Sequence, residues 1–185
     1  MRALIACEYS GIVRDALIAV GVDAVSCDLL PTDRPGPHIQ GDVLAVLDQG
    51  WDLMIAHPPC QHLSSSGARW WPEKQADGRQ QQAIDFFMTL ANAPIARVCL
   101  ENPVGIMSTV YQPPTLYCEP WQHGHGETKK TGLWLKNLPP LKPSNIVEGR
   151  EQRIWKLPPS PDRWKIRSQT YPGIAAAMAD QWGKL

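Results

Sequence analysis

The first hundred residues alternate short apolar runs with stretches of helical periodicity, and this pattern predicts a parallel β-sheet covered by helices. Ala3-Leu4-Ile5-Ala6-Cys7 reads as a first strand. After Glu8-Tyr9-Ser10-Gly11, the apolar residues Ile12, Val13, Ala16, Leu17 and Val20 recur at helical spacing until Gly21 stops the helix. Ala24-Val25-Ser26-Cys27 forms a second strand ending at Asp28, and prolines 31, 35 and 37 then enforce a loop. A short element follows around His38-Ile39-Gln40-Gly41-Asp42-Val43. Asp52-Leu53-Met54-Ile55-Ala56 is a buried strand running into His57-Pro58-Pro59-Cys60. One long helix is predicted between Lys74 and Ala93, with Ala83, Phe86, Phe87 and Leu90 on one face. Arg97-Val98-Cys99-Leu100 is the next strand and delivers Glu101-Asn102-Pro103. Beyond Pro103 proline density rises and helical patterning is lost until Ile174; Gly132-Leu133-Trp134-Leu135 is the one strand expected there, and a terminal helix spans about 172–183.

A chain of 185 residues, 43% apolar and 19% charged, fits one globular domain and excludes disordered or collagen-like compositions. No apolar run reaches membrane-spanning length, and the start meets Glu8 too early for a signal peptide, so a cytoplasmic protein without membrane association is the expectation. The five cysteines are odd in number and lack a CxxC pair, which suggests neither a disulfide framework nor structural zinc. Cys118, His123 and His125 are too few ligands, without a usual zinc spacing, so no metal is expected.

The 18 basic and 18 acidic side chains cancel, yet they are unevenly placed. Residues 1–100 carry a net charge of −4 and residues 101–185 a net of +4. From Lys129 to Arg167 there are ten Lys or Arg against Glu148, Glu151 and Asp162, with Trp134, Trp155 and Trp164 interleaved. Such a stretch suits phosphate tracking and base stacking; a solvated face over inward-packed tryptophans is the other reading.

In open α/β sheets ligands bind beyond the carboxyl ends of the strands. Gly11 opens a helix at the first strand end, and Asp28 at the second is placed to accept from a nucleoside ribose, or is a solvated strand-end residue. Pro58-Pro59 stiffens the next strand end, presenting Cys60 at a fixed angle beside His57, where a thiolate nucleophile is expected. Glu101 adds a carboxylic acid from the adjacent strand, so the pair reads as nucleophile and proton donor.

Pro58-Pro59-Cys60-Gln61 with Leu63-Ser64, together with Glu101-Asn102-Pro103, resembles the PCQ and ENV motifs of DNA cytosine-C5 methyltransferases. Other matches follow in the family's order. Glu8-Tyr9-Ser10-Gly11 stands at its S-adenosylmethionine (AdoMet) loop, Asp28 at its ribose-binding acid and Asp42 at its adenine-side acid. Arg150-Glu151-Gln152-Arg153 resembles its REAARLQ stretch, and Ser168-Gln169-Thr170-Tyr171-Pro172-Gly173 the segment that returns to cover AdoMet. The sequence departs from the family in keeping one glycine in the first loop and in having Lys129 where paired arginines are usual. It also has only the 18 residues Gly132–Gly149 where a target-recognition domain would lie.

The resemblance implies an α/β, Rossmann-like AdoMet-dependent methyltransferase fold, a mostly parallel sheet with helices on both faces. It further implies a single catalytic domain over 1–185 of compact phage or prophage type: a cofactor part over about 1–100, a basic substrate side over about 101–170, and no separate recognition domain. Cofactor contacts are expected from Glu8, Tyr9, Ser10, Gly11, Asp28, Asp42, Pro58 and Tyr171, and substrate contacts from Pro59, Gln61, Ser64, Asn102, Lys129, Arg150 and Arg153. Cys60 would add to C6 of a cytosine flipped from duplex DNA, while Glu101, with its pKa raised in an enclosed site, would protonate N3. His62, Ser64 to Ser66, Trp70 and Trp71 would form a loop closing over DNA, or an ordinary surface loop with tryptophans packed inward. The same chemistry on RNA or a free pyrimidine nucleotide stays open, as does a non-catalytic AdoMet-fold protein acting beside a partner. A homo-oligomer, or a separate specificity subunit replacing the missing domain, is also left open.

Overall fold

A computed structural model describes residues 1–185. Its elements are β1 (Arg2–Ala6), α1 (Ile12–Ala19), β2 (Asp23–Asp28), β3 (His38–Gln40), β4 (Leu53–Ala56), α2 (Trp71–Ala76), α3 (Arg79–Ala91), β5 (Arg97–Pro103), α4 (Met107–Val110), β6 (Leu116–Cys118), β7 (Thr131–Lys136), α5 (Arg153–Lys156), α6 (Arg163–Ser168) and α7 (Pro172–Trp182). The strands form one sheet in the order β3-β2-β1-β4-β5-β7-β6. Strand β7 runs antiparallel to β5 and β6, and the remaining pairings are parallel. Chain direction across the sheet reverses between β1 and β4, so the crevice above those two strand ends is the expected ligand position in a doubly wound sheet.

Strand periodicity sends alternate residues to opposite layers. Ala3, Ile5, Leu53, Ile55 and Cys99 face α1 and α7, whose alanine-rich surface allows close approach and whose Trp182 is fully buried. Leu4, Ala6, Met54, Ala56, Val98 and Leu100 face α3 and the 3-10 turn Val43–Val46. In that second layer Phe87 meets Trp134 edge to face at 5.3 Å. Helices therefore cover both faces, as predicted, and the central strands read as apolar runs because neither face meets water.

The long helix predicted from Lys74 is two helices. Gly78 takes a left-handed conformation (φ 81°), which ends α2 and restarts the chain as α3. Past Pro103 the structure adds β6 and the short helices α4, α5 and α6, all too short to carry a readable period.

Candidate active site

The loop after β1 is built around capping. Cys7 is left-handed (φ 58°), and the buried Glu8 turns its carboxylate under α1, accepting from the backbone N–H of Val13 (2.7 Å) and Arg14 (3.3 Å). Gly11 at the helix N-cap offers no side chain, so Glu8 supplies the acceptor that a serine or aspartate would normally provide. The Ser10 hydroxyl donates to the same carboxylate at 3.2 Å. Glu8 and Ser10 thus reach the expected loop, but their side chains hold it together from below. Tyr9 crosses the cleft instead: its hydroxyl lies 2.9 Å from that of Ser168, and its ring tilts against Trp164 at 5.8 Å.

Arg14 locks this end of the sheet. Its wholly buried guanidinium pairs with Asp15 (2.8 Å) and donates to Ser26, Thr32, Arg34 O and Pro35 O at 3.1–3.3 Å, pinning the loop after β2. Asp28, half-buried at the end of β2, accepts from Leu30 N–H, and burial raises its pKa. Asp42 is exposed and caps the turn Val43–Val46 by accepting from Leu44 N–H. The two acids share a neighbourhood with Cys27, whose thiol is pushed up to about 11 by burial, then by Asp28 and Asp42.

At the end of β4 the backbone N–H of His57 bonds to Ala6 O, and its Nδ1 lies 2.9 Å from Glu101 Oε2. Pro58 is buried and Pro59 exposed. Asn102 is buried and donates to Pro58 O at 2.8 Å, so it orients the proline turn. Cys60 O accepts from the N–H of both Leu63 and Ser64, closing a tight turn. That turn is stapled to the segment after Glu101: Ile106 N–H donates to Leu63 O and Ser65 N–H to Val104 O, each at 2.9 Å, and a Cβ on Gly105 would fall 2.1 Å from Leu63 O. The mutual placement of Cys60 and Glu101 is therefore set by backbone contacts. Gln61 O accepts from Lys74 Nζ, and the Ser64 hydroxyl caps the turn by accepting from Ser66 N–H.

The charge states differ from those expected. Burial raises the pKa of Glu101, but hydrogen bonding and charge from His57, followed by Lys129 and the Thr131 hydroxyl, outweigh it and hold the carboxyl below its ordinary value. The predicted upward shift is thus corrected: an adjoining imidazole 44 residues away in sequence supplies a donor. Cys60 is likewise not poised as a thiolate. Burial and then the Glu101 charge raise its pKa, with only partial relief from Lys129 and Arg167. Lys129 Nζ itself donates to Gln169 O at 3.2 Å.

The remaining expected residues lie to one side. Tyr171 donates to Glu127 at 2.6 Å, and Arg153 pairs with the same carboxylate at 3.0 Å. Arg150 is exposed and stacks on Trp121 at 3.9 Å. His57 as the partner of Glu101, Arg14, Glu127 and Arg167 were not singled out by the sequence pattern. For Glu101 the signal is a histidine at the end of the neighbouring strand, which the sequence itself sets only beside Cys60.

Among solved structures the chain is similar to an E. coli prophage-encoded protein described as a DNA modification methyltransferase, with TM-score 0.54 and 16% identity over 85% of this chain and 55% of that one. It is also similar to the Entamoeba histolytica methyltransferase EhMeth, with TM-score 0.52 and 11% identity over 82% of this chain and 57% of that one. The chain spans a little over half the length of each. At these identities the likeness is one of fold, and the fold is the α/β, Rossmann-like methyltransferase fold. No family model and no curated protein matches the sequence. No helix is long and apolar enough to cross a membrane.

Proposed function

We propose that this domain is an AdoMet-dependent methyltransferase acting on C5 of cytosine in DNA. The observation that carries the reading is the pairing of Cys60 and Glu101 on two loops stapled together at adjacent strand ends, close enough for the Glu101 charge to raise the Cys60 thiol. The sequence resemblance, and neighbours described as methyltransferases, support the same reading.

The donor set at the ends of β1 to β3 fits the cofactor. Asp28 and the exposed Asp42 offer carboxylate acceptors suited to a ribose diol and an adenine amine, and Tyr9 with Trp164 provides an aromatic wall. When bound, AdoMet supplies an electrophilic methyl group. Cys60 attacks C6 of the base as a thiolate, forming the S–C6 bond and moving electron density to C5 and toward N3. Glu101, taking up by way of solvent the proton that the Cys60 thiol releases, meets that density at N3 with it. C5 then releases its proton to solvent, the N3 proton returns to Glu101, and breaking the S–C6 bond frees Cys60 as a thiolate. DNA as the substrate is supported by the basic stretch from α5 to α6, where Trp155 is 73% exposed among Arg153, Lys156 and Arg163.

Incubation with methyl-labelled AdoMet and separate pools of DNA, RNA and dCMP tests the reading: label is expected in DNA. DNA containing 5-fluorocytosine is expected to trap a covalent complex, since fluorine cannot leave C5, and Cys60→Ser should abolish it. Label in no pool, or an adduct that persists in the Ser variant, refutes the assignment.

A further inference from the structure

The site contains a buried group that the proposed chemistry has not used. His57 has only 9% of its side chain exposed, its Nδ1 is 2.9 Å from Glu101 Oε2, and its Nε2 is buried with no hydrogen-bond partner. A ring proton on Nε2 would leave a buried donor unpaired, whereas a proton on Nδ1 is satisfied by the carboxylate. The geometry thus makes Nδ1–H the donor to Oε2. This is how an acceptor carboxylate fixes an imidazole in hydrolase triads, but here the roles are inverted, because the carboxyl is the group that meets the substrate.

Resting on the cytosine reading above, we infer that His57 is the positioning residue for Glu101. By holding Oε2 it fixes the orientation of the carboxyl that meets the base, and by donating to the carboxylate it favours the ionised Glu101 while the site is empty. The consequence extends to Cys60. An ionised Glu101 disfavours the thiolate, so the nucleophile rests as a thiol until a base arrives; passage of the Cys60 thiol proton to Glu101 by way of solvent then forms the thiolate, supplies the donor for N3 and removes the charge that opposed the thiolate. The pair links the two halves of the chemistry: the protonation that arms the acid also arms the nucleophile. The other groups facing Glu101 are Lys129, Thr131 and the thiols of Cys60, Cys99 and Cys118. None of these carries a second, unpartnered nitrogen.

The test uses His57→Leu, which removes both nitrogens, and His57→Asn, whose amide N–H replaces Nδ1–H but cannot titrate. In the free protein the Glu101 carboxyl carbon, followed by NMR and assigned by its absence in Glu101→Gln, should titrate at higher pH in His57→Leu and near the wild-type position in His57→Asn. Iodoacetamide alkylation of Cys60 at pH 7.5, read by mass spectrometry, should accelerate roughly threefold or more in His57→Leu and in Glu101→Gln. Adding His57→Leu to Glu101→Gln should give no further acceleration. Methyl transfer should fall by roughly 10- to 100-fold in His57→Leu and be largely rescued in His57→Asn. An unchanged Glu101 titration in His57→Leu, or Cys60 alkylation that slows, overturns the inference. The titration and alkylation need no substrate, so they decide the role of His57 even if wild-type protein labels no nucleic acid and the substrate assignment falls.

Discussion

Arg14→Met is the most direct probe of how the loops at the ends of β1 and β2 are held. The substitution keeps the apolar stem packed in α1 and deletes the guanidinium, which pairs with Asp15 and donates to Ser26, Thr32, Arg34 O and Pro35 O. Removing one side of a buried charged network costs about 3–5 kcal/mol. The Asp15 side chain is 37% exposed, so its lost ion pair contributes about 1 kcal/mol or less. The remaining loss is concentrated in the loop acceptors, which places the total near the lower end, about 3 kcal/mol. For a domain of this size that corresponds to a drop in Tm of roughly 6–12 °C. Urea unfolding gives the magnitude, and hydrogen exchange over residues 29–37 should show the loop opening first. Gly36 offers an independent arm, since a Cβ there would lie 2.7 Å from the guanidinium carbon. Gly36→Ala should destabilise the wild type and do so less in the Arg14→Met background. A loss below about 1 kcal/mol, with loop exchange unchanged, would refute the view that Arg14 anchors this end of the site.

Two further outcomes follow from exposure and from charge. Trp155→Ala should change stability by no more than about 0.5 kcal/mol yet weaken DNA binding about fivefold or more, measured by anisotropy at fixed salt; equal affinity would remove Trp155 from the binding surface. The buried Cys118 thiol is pushed up to about 12 by burial, then by Glu101 and Glu119, from an ordinary 9.0. The folded state thus retains this proton longer than the unfolded chain, so the contribution is whole below pH 9 and is lost as pH rises toward 12. Cys118→Ala should flatten the alkaline limb of a stability profile by up to about 1.4 kcal/mol per pH unit, and an unchanged limb would contradict the shift.

How much of this was legible depended on whether the cause was local. Strands β1, β4 and β5 were readable because burial on both faces makes them unbroken apolar runs, and α1 and α7 because each carries more than two turns of period. Helix α6 was not readable: its six residues have no period, and contacts to Tyr9 and Asp33, more than a hundred residues away, hold it in place. The break at Gly78 had a local signal in Asp77-Gly78 that the apolar stripe of Phe87 and Leu90 masked. Cys60 and Glu101 stood out as residue types at strand ends. Their protonation states did not, because these arise from His57, Lys129 and Arg167 meeting through the sheet. Arg14 lies in an ordinary amphipathic helix, and nothing in its local pattern distinguishes it from a surface arginine.

The basic segment reconciles its two sequence readings, since it has both an inner and an outer side. On the inner side Lys165 pairs with Asp33 at 3.8 Å, Arg153 with Glu127, Ser168 meets Tyr9, and Arg167 acts on the Cys60 thiol, so α6 spans from the β1 loop to Cys60. On the outer side Trp155 and Trp164 are exposed, and no ion pair engages the exposed Lys156. Of the ten cations between Lys129 and Arg167, only Arg153 and Lys165 have an acidic partner. Lys129 and Arg167 turn their charge toward Cys60, whereas Lys130, Lys142, Arg150 and Lys156 are exposed and can attract phosphates although the chain as a whole is neutral. Because α6 touches the β1 loop and carries the half-exposed Trp164, a base stacked on Trp164 that shifts α6 would also move the Tyr9 ring packed against it. Cofactor affinity and DNA affinity should thus depend on each other, and their coupling should weaken as salt rises.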